Sequence, residues 1–91
     1  MRRQLRLARR AEQQLVRLDP PQQRRILAAL RSLERDPLPP GKRVRKLQTS
    51  HGNLYRLRVG NFRIIYELSP EYVDILGIVS RDELERFIKG L

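Results

Sequence analysis

Apolar positions along this chain follow two periods, and the clearer one lies between Leu54 and Leu68. There Leu54-Tyr55-Arg56-Leu57-Arg58-Val59 and Phe62-Arg63-Ile64-Ile65-Tyr66-Glu67-Leu68 flank a Gly60-Asn61 pair. Two strand-forming runs joined by Gly-Asn predict a β-hairpin with a primed two-residue turn. Counting outward pairs Val59 with Phe62, Arg58 with Arg63, Leu57 with Ile64, Arg56 with Ile65 and Tyr55 with Tyr66. Side chains alternate with period two, so Val59, Phe62, Leu57, Ile64, Tyr55 and Tyr66 share a core-facing side. Arg56, Arg58 and Arg63 gather on the other.

The remaining elements are read around that hairpin. Gln4 to Leu7 is a short strand with Leu5 and Leu7 inward. From about Arg9 the spacing becomes helical through Ala11, Leu15 and Leu18. Asp19-Pro20-Pro21 ends this helix and starts a second, with Asp19 as N-cap and proline in the first turn, running to about Arg35 and presenting Ile26, Leu27, Leu30 and Leu33 inward. Asp36-Pro37-Leu38-Pro39-Pro40-Gly41 is a stiff connector. Lys42-Arg43-Val44-Arg45-Lys46-Leu47 reads as a basic edge segment, followed by the polar loop Gln48 to Asn53. After the turn Ser69-Pro70-Glu71, a strand from Tyr72 to Val79 directs Val73, Ile75 and Val79 one way and Leu76 and Ile78 the other, with Gly77 marking a bulge or a close approach. Asp82 to Ile88 is a short closing helix. The expected fold class is α+β. A short N-terminal strand and an antiparallel helical hairpin pack on a mainly antiparallel, strongly twisted sheet that ends in a three-strand meander and a terminal helix. Residues 1–91 make one domain.

Composition narrows what such a domain does. Twenty Lys plus Arg against ten Asp plus Glu leave a formal charge of +10 over 91 residues, which implies a polyanionic partner, nucleic acid or an acidic protein. The absence of cysteine excludes disulfides, thiolate zinc sites and cysteine nucleophiles. Met1-Arg2-Arg3 is followed by no apolar run, and no stretch is long enough to span a bilayer, so a soluble, cytoplasmic protein is expected.

The arginine side of the hairpin is the candidate site. Like charges placed opposite each other destabilise a strand pair by up to about 1 kcal/mol. A phosphate gripped by guanidinium forks offsets that; a solvated basic face is the alternative, and the charge of the whole chain moves the balance toward a phosphate. Lys42, Arg43, Arg45 and Lys46 widen the cationic surface. His51 is the chain's one histidine, but it sits in a Ser/Gly/Asn loop with nothing near it in sequence to orient it.

The order of elements and the hairpin from Leu54 to Tyr66, preceded by Lys46-Leu47, resemble the RelE/ParE toxin superfamily of type II toxin–antitoxin modules. The pattern shared is hydrophobic, basic, any, basic, hydrophobic, Gly, any, aromatic, Arg, two hydrophobics and Tyr. The resemblance implies that Arg56 and Arg58 are the two basic active-site residues of one strand. Arg63 then stands on the next strand and Arg81 after the last. The family's proton-transferring or base-stacking tyrosine falls on Phe87, which stacks but moves no proton. Lys46, His51 and Glu85 are the substitutes for that role, unless the ribosome supplies it. Together with Lys42, Arg43, Arg45 and Lys46, Phe87 completes the implied nucleic-acid contacts. The RelE branch cuts messenger RNA in the ribosomal decoding site without metal, so neither a metal nor another cofactor is implied. The ParE branch instead poisons DNA gyrase without nuclease chemistry. A cognate antitoxin covering the basic face is implied for both. A catalytically impaired RNA-binding homologue is the third reading.

Overall fold

The computed structural model describes residues 3–38, 44–47 and 52–91. In chain order these form β1 (Gln4–Leu7), α1 (Arg9–Val16), α2 (Pro20–Arg35), β2 (Val44–Lys46), β3 (Leu54–Val59), β4 (Phe62–Leu68) and β5 (Tyr72–Ser80). A 3₁₀ turn (Arg81–Glu83) then leads into α3 (Leu84–Lys89). The sheet order is β1-β5-β4-β3-β2, with β1 parallel to β5 and every other neighbour antiparallel. This is the α+β architecture expected from the pattern.

The hairpin register agrees with the counting, from Val59 opposite Phe62 to Tyr55 opposite Tyr66. Gly60 has a φ of +58°, and no residue other than glycine has positive φ among those described. A left-handed first residue followed by an ordinary Asn61 fits a type II′ turn, whose twist suits the flanking strands.

One face of the sheet carries the main core. Ile26, Leu30 and Leu33 of α2 and Ala11 of α1 pack on Leu57, Ile64, Tyr66, Val73, Ile75 and Ile78. Tyr55 and Tyr66 stack with ring centroids 5.7 Å apart, and the buried Tyr66 hydroxyl donates to the Pro37 carbonyl at 2.6 Å. On the opposite face Ile65, Val79 and Phe87 form a smaller cluster edged by Leu47, Leu76 and Leu84. The centre of β4 is therefore covered on both sides, by α1 and α2 above and α3 below.

Three details depart from the pattern. Leu27 is 40% exposed, because one step of about 100° beyond Ile26 carries it out of the arc shared by Ile26, Leu30 and Leu33. Asp19 occupies the N-cap of α2, but its side chain makes no capping bond; its carbonyl accepts from the Gln23 N–H at 2.9 Å. The Gln23 side chain in turn donates to the Leu15 and Val16 carbonyls at the end of α1. In β5 the register slips: Ile65 faces Gly77 while Tyr66 faces Ile75, leaving Leu76 as the extra residue of a bulge. One extra residue inverts the alternation beyond it. Ile78 accordingly joins Val73 and Ile75 in the main core, and Val79 shares the second cluster with Leu76. Where β1 ends, α1 takes over the edge of β5, and Gln14 Oε1 accepts from the Ile78 N–H at 2.8 Å.

Candidate nucleic-acid interface

Strand register decides which basic side chains meet. Arg45 of β2 lies opposite Arg56 of β3, and Arg58 opposite Arg63 of β4. Period two then places all four on the face away from α1 and α2. Arg81 arrives from the end of β5, where its backbone N–H donates to the Asn61 carbonyl at 2.8 Å and fastens that exit to the hairpin turn.

These guanidiniums lie close enough to act on one another. Burial pushes Arg56 below its ordinary range, and the nearby charges of Arg63, Arg45 and Arg58 push it further. Burial does the same to Arg63, assisted by Arg58 and Arg81. Both stay charged near neutrality, since guanidinium does not deprotonate in proteins. Among the described residues Arg45, Arg56, Arg58 and Arg63 form no ion pair, and Arg81 reaches only the exposed Asp82 at 4.0 Å. Arg56 Nη1 is buried without a hydrogen-bond partner among the described residues, a costly state that an incoming anion relieves. Arg63 is 8% exposed. Its Nη1 donates to the Gly60 and Phe62 carbonyls at 3.0 and 2.9 Å, which braces the turn and leaves Nε and Nη2 free of that task.

A groove of about 840 Å³ runs along the hairpin tip, lined there by Arg58, Gly60, Asn61, Arg63 and Arg81. Its other wall comes from α2, through Arg25, Ala28, Ala29 and Ser32. The sequence reading passed over Arg25. The available signal was a helical stripe, since Arg25, Ala28, Ala29 and Ser32 fall at i, i+3, i+4 and i+7 and put one long cation at the head of a strip of small side chains.

The other described candidates do not join this cluster. Lys46 pairs with Tyr55, so its register belongs to the side opposite Arg45. Glu85 is exposed on α3. Lys42, Arg43 and His51 lie outside the described residues. Phe87, expected as a base-stacking surface, is only 6% exposed. Its ring is pressed onto Gly77 and packed with Ile65 and Val79, with the Arg10 guanidinium 5.0 Å from its centroid, so it serves as core. No group of three or more His, Cys, Asp or Glu suited to a metal occurs among the described residues, and no helix among them is long and apolar enough to cross a membrane. The site can hold and stabilise negative charge. None of its arginines can take up a proton from a hydroxyl.

Residues 5–85 match the model of the ParE toxin of the type II toxin–antitoxin system parDE. No curated protein matches significantly. Among solved structures, a chain of the archaeal RelE–RelB complex from Pyrococcus horikoshii OT3 is 29% identical with a TM-score of 0.77, over 89% of this chain and 97% of that one. The toxin–antitoxin complex RelBE2 from Mycobacterium tuberculosis gives 21% identity and a TM-score of 0.76 over 89% and 100% of the two chains. The YoeB dimer from Staphylococcus aureus gives 18% and 0.69 over 85% and 94%. With the family model covering nearly the whole chain and this fold beneath it, the protein belongs to the RelE/ParE superfamily as a toxin of the type II toxin–antitoxin class.

Proposed function

We propose that this toxin is a metal-independent endoribonuclease acting on messenger RNA in the ribosomal decoding site, in the cytoplasm, and that a cognate antitoxin covers its basic face between episodes of activity. The observation that carries the reading is the set of arginines at 45, 56, 58, 63 and 81, clustered on one face of the sheet, where the exposed Asp82 beside Arg81 is the one carboxylate to pair with any of them among the described residues. RNA brings its own nucleophile. The 2′-oxygen attacks the adjacent phosphorus, the bond from phosphorus to the 5′-oxygen breaks, and charge accumulates on the non-bridging oxygens between those events. Arg56, Arg58, Arg63 and Arg81 are placed to stabilise that charge, which is the largest single contribution in many enzymes. Taking the proton from the 2′-hydroxyl and returning one to the 5′-oxygen falls to groups of the ribosomal complex. Dependence on the ribosome follows directly. An antitoxin segment of acidic or amphipathic character suits the same face electrostatically, and the neighbours from Pyrococcus horikoshii and Mycobacterium tuberculosis were both captured as complexes with antitoxins.

Translation extracts supplied with the protein are expected to yield messenger RNA cut within codons, while the same RNA without ribosomes stays intact. Arg58→Ala lowers the cleavage rate about 10²-fold, the loss typical of one preorganised charge-stabilising group. Uncut messenger RNA together with stalled DNA gyrase moves the assignment to the second reading, a gyrase inhibitor without nuclease chemistry. Phenylalanine in place of the family's tyrosine at position 87 favours that alternative, since a phenyl ring has no hydroxyl for proton transfer, as does the ParE name of the matching model. Normal growth of a susceptible host on induced expression would instead indicate an impaired RNA-binding homologue.

A further inference from the structure

We propose that Arg25 and the small-residue stripe of α2 form a second phosphate subsite, which carries the backbone of a single-stranded RNA past the hairpin tip and away from the reacting phosphate. The proposal rests on the RNA-cleaving reading above. Four arginines, at 25, 58, 63 and 81, line the tip groove, and no carboxylate does. Arg25 comes from the far side of the turn, so the groove is cationic along both walls. Its guanidinium lies against the turn: a Cβ on Gly60 would stand 3.1 Å from Arg25 Nη2 and 3.4 Å from Nη1. Arg25 is exposed and takes part in no ion pair among the described residues. Beside it Ala28 and Ala29 leave room for a chain of riboses, and the Ser32 hydroxyl is turned back onto the Ala29 carbonyl at 2.6 Å, which keeps that wall short. Arg63 braces the turn from the opposite side with Nη1. The tip therefore divides the lining of this one groove into two cationic compartments. One phosphate sits with Arg58, Arg63 and Arg81, and its neighbour along the strand sits at Arg25.

The test uses fluorescence anisotropy on 2′-O-methyl RNA, which lacks the nucleophile and stays uncut, as a dinucleotide and as a hexamer. Arg25→Ala is expected to weaken the hexamer about five- to tenfold and to flatten its salt dependence by about 0.7 in log–log slope, the share of one phosphate contact on a single strand. The dinucleotide, whose single phosphate fills only the first compartment, is expected to bind as to the unaltered protein, whereas Arg58→Ala weakens both. Circular dichroism melting confirms that the exposed Arg25→Ala variant is folded. Hexamer and dinucleotide affinities that Arg25→Ala leaves unchanged, with mRNA still cut in extracts, overturn this subsite and spare the nuclease reading. Equal weakening of both lengths also overturns it, since Arg25 would then belong to the first compartment. A protein that binds neither RNA removes the subsite and the reading beneath it together. An Arg25→Ala variant that keeps its RNA affinity but loses an acidic protein partner assigns the groove to that partner and overturns the proposal as well.

Discussion

Gly77 carries no side chain because the Phe87 ring occupies the place where one would begin: a Cβ would lie 2.3 Å from Cζ and 2.5 Å from Cε2. Gly77→Ala is therefore expected to cost about 1–3 kcal/mol of stability in urea unfolding, as overpacking does elsewhere. Phe87→Leu in the same chain should recover part of that loss, because it removes the colliding atoms. Simple additivity of the two substitutions would show that the contact is not the cause. The same geometry bears on the tyrosine expected at this position in the family. A tyrosine hydroxyl extends from Cζ, the atom nearest Gly77, so Phe87→Tyr pushes against β5, lowers stability and leaves RNA cleavage unimproved. A variant as stable as the parent would sink that argument. Tyr66 is the converse case, a hydroxyl the core does accommodate. Burial, with Tyr55 beside it, holds the Tyr66 phenol well above its ordinary range, and its O–H donates to the Pro37 carbonyl. Tyr66→Phe leaves that carbonyl without its partner and costs about 1–3 kcal/mol, again read by urea unfolding.

Between β5 and α3 the chain turns through a capping box. The Ser80 hydroxyl donates to Glu83 Oε1 at 2.8 Å, and the Ser80 N–H approaches the same oxygen at 3.4 Å. The bond from the Ser80 hydroxyl is the main reason the Glu83 carboxyl lies below the usual range, with the Ser80 N–H and the Arg86 charge adding to it against a small opposing effect of burial. A folded-state value below the unfolded one means the stabilisation is present above the unfolded value and disappears as pH falls through the folded one. Carbon-13 NMR titration should find Glu83 protonating at lower pH than an ordinary glutamate, and Ser80→Ala should move it back up. An unmoved titration would show that the box does not hold the carboxyl. How far each element was legible depends on where its determinants lie. The ends of α2 are written locally, in Asp19-Pro20-Pro21 and Asp36-Pro37, and the sequence reading placed them within a residue. The arginine face was legible because a two-residue turn fixes parity on both strands at once. The bulge at Leu76 was not. It follows from how β5 pairs with β4 and seats Phe87, neither of which alternation within one strand reveals. Arg25 escaped for the same reason, since it reaches the site from a helix that only the tertiary fold brings beside the turn.

Across the whole molecule, the same residue type is neutralised at one edge of the sheet and left uncompensated at the other. On β1, Arg6 grips Asp74 of β5 through two bonds of 2.6 and 3.0 Å and lies 3.6 Å over the Tyr72 ring, so its charge is absorbed into the scaffold. Toward β2, Arg45, Arg56, Arg58 and Arg63 have no such carboxylate among the described residues. In a chain with a formal charge of +10, that concentration works against the folded state, a cost that a bound anion would relieve. Arg58 offers the sharpest test, because it is exposed and stands directly opposite Arg63. Replacing it with glutamine removes one of two facing like charges and keeps a polar side chain of similar reach. Arg58→Gln should therefore raise stability at low salt, by up to about 1 kcal/mol, while reducing RNA cleavage. The advantage should shrink as sodium chloride is raised toward about 1 M, where the screening length falls to about 3 Å, shorter than the separation of facing side chains. Thermal melting of both proteins across a salt series measures it. A variant less stable than the parent, or a gap indifferent to salt, would mean that Arg58 stabilises the hairpin by packing and that this surface stores no repulsion for a phosphate to relieve.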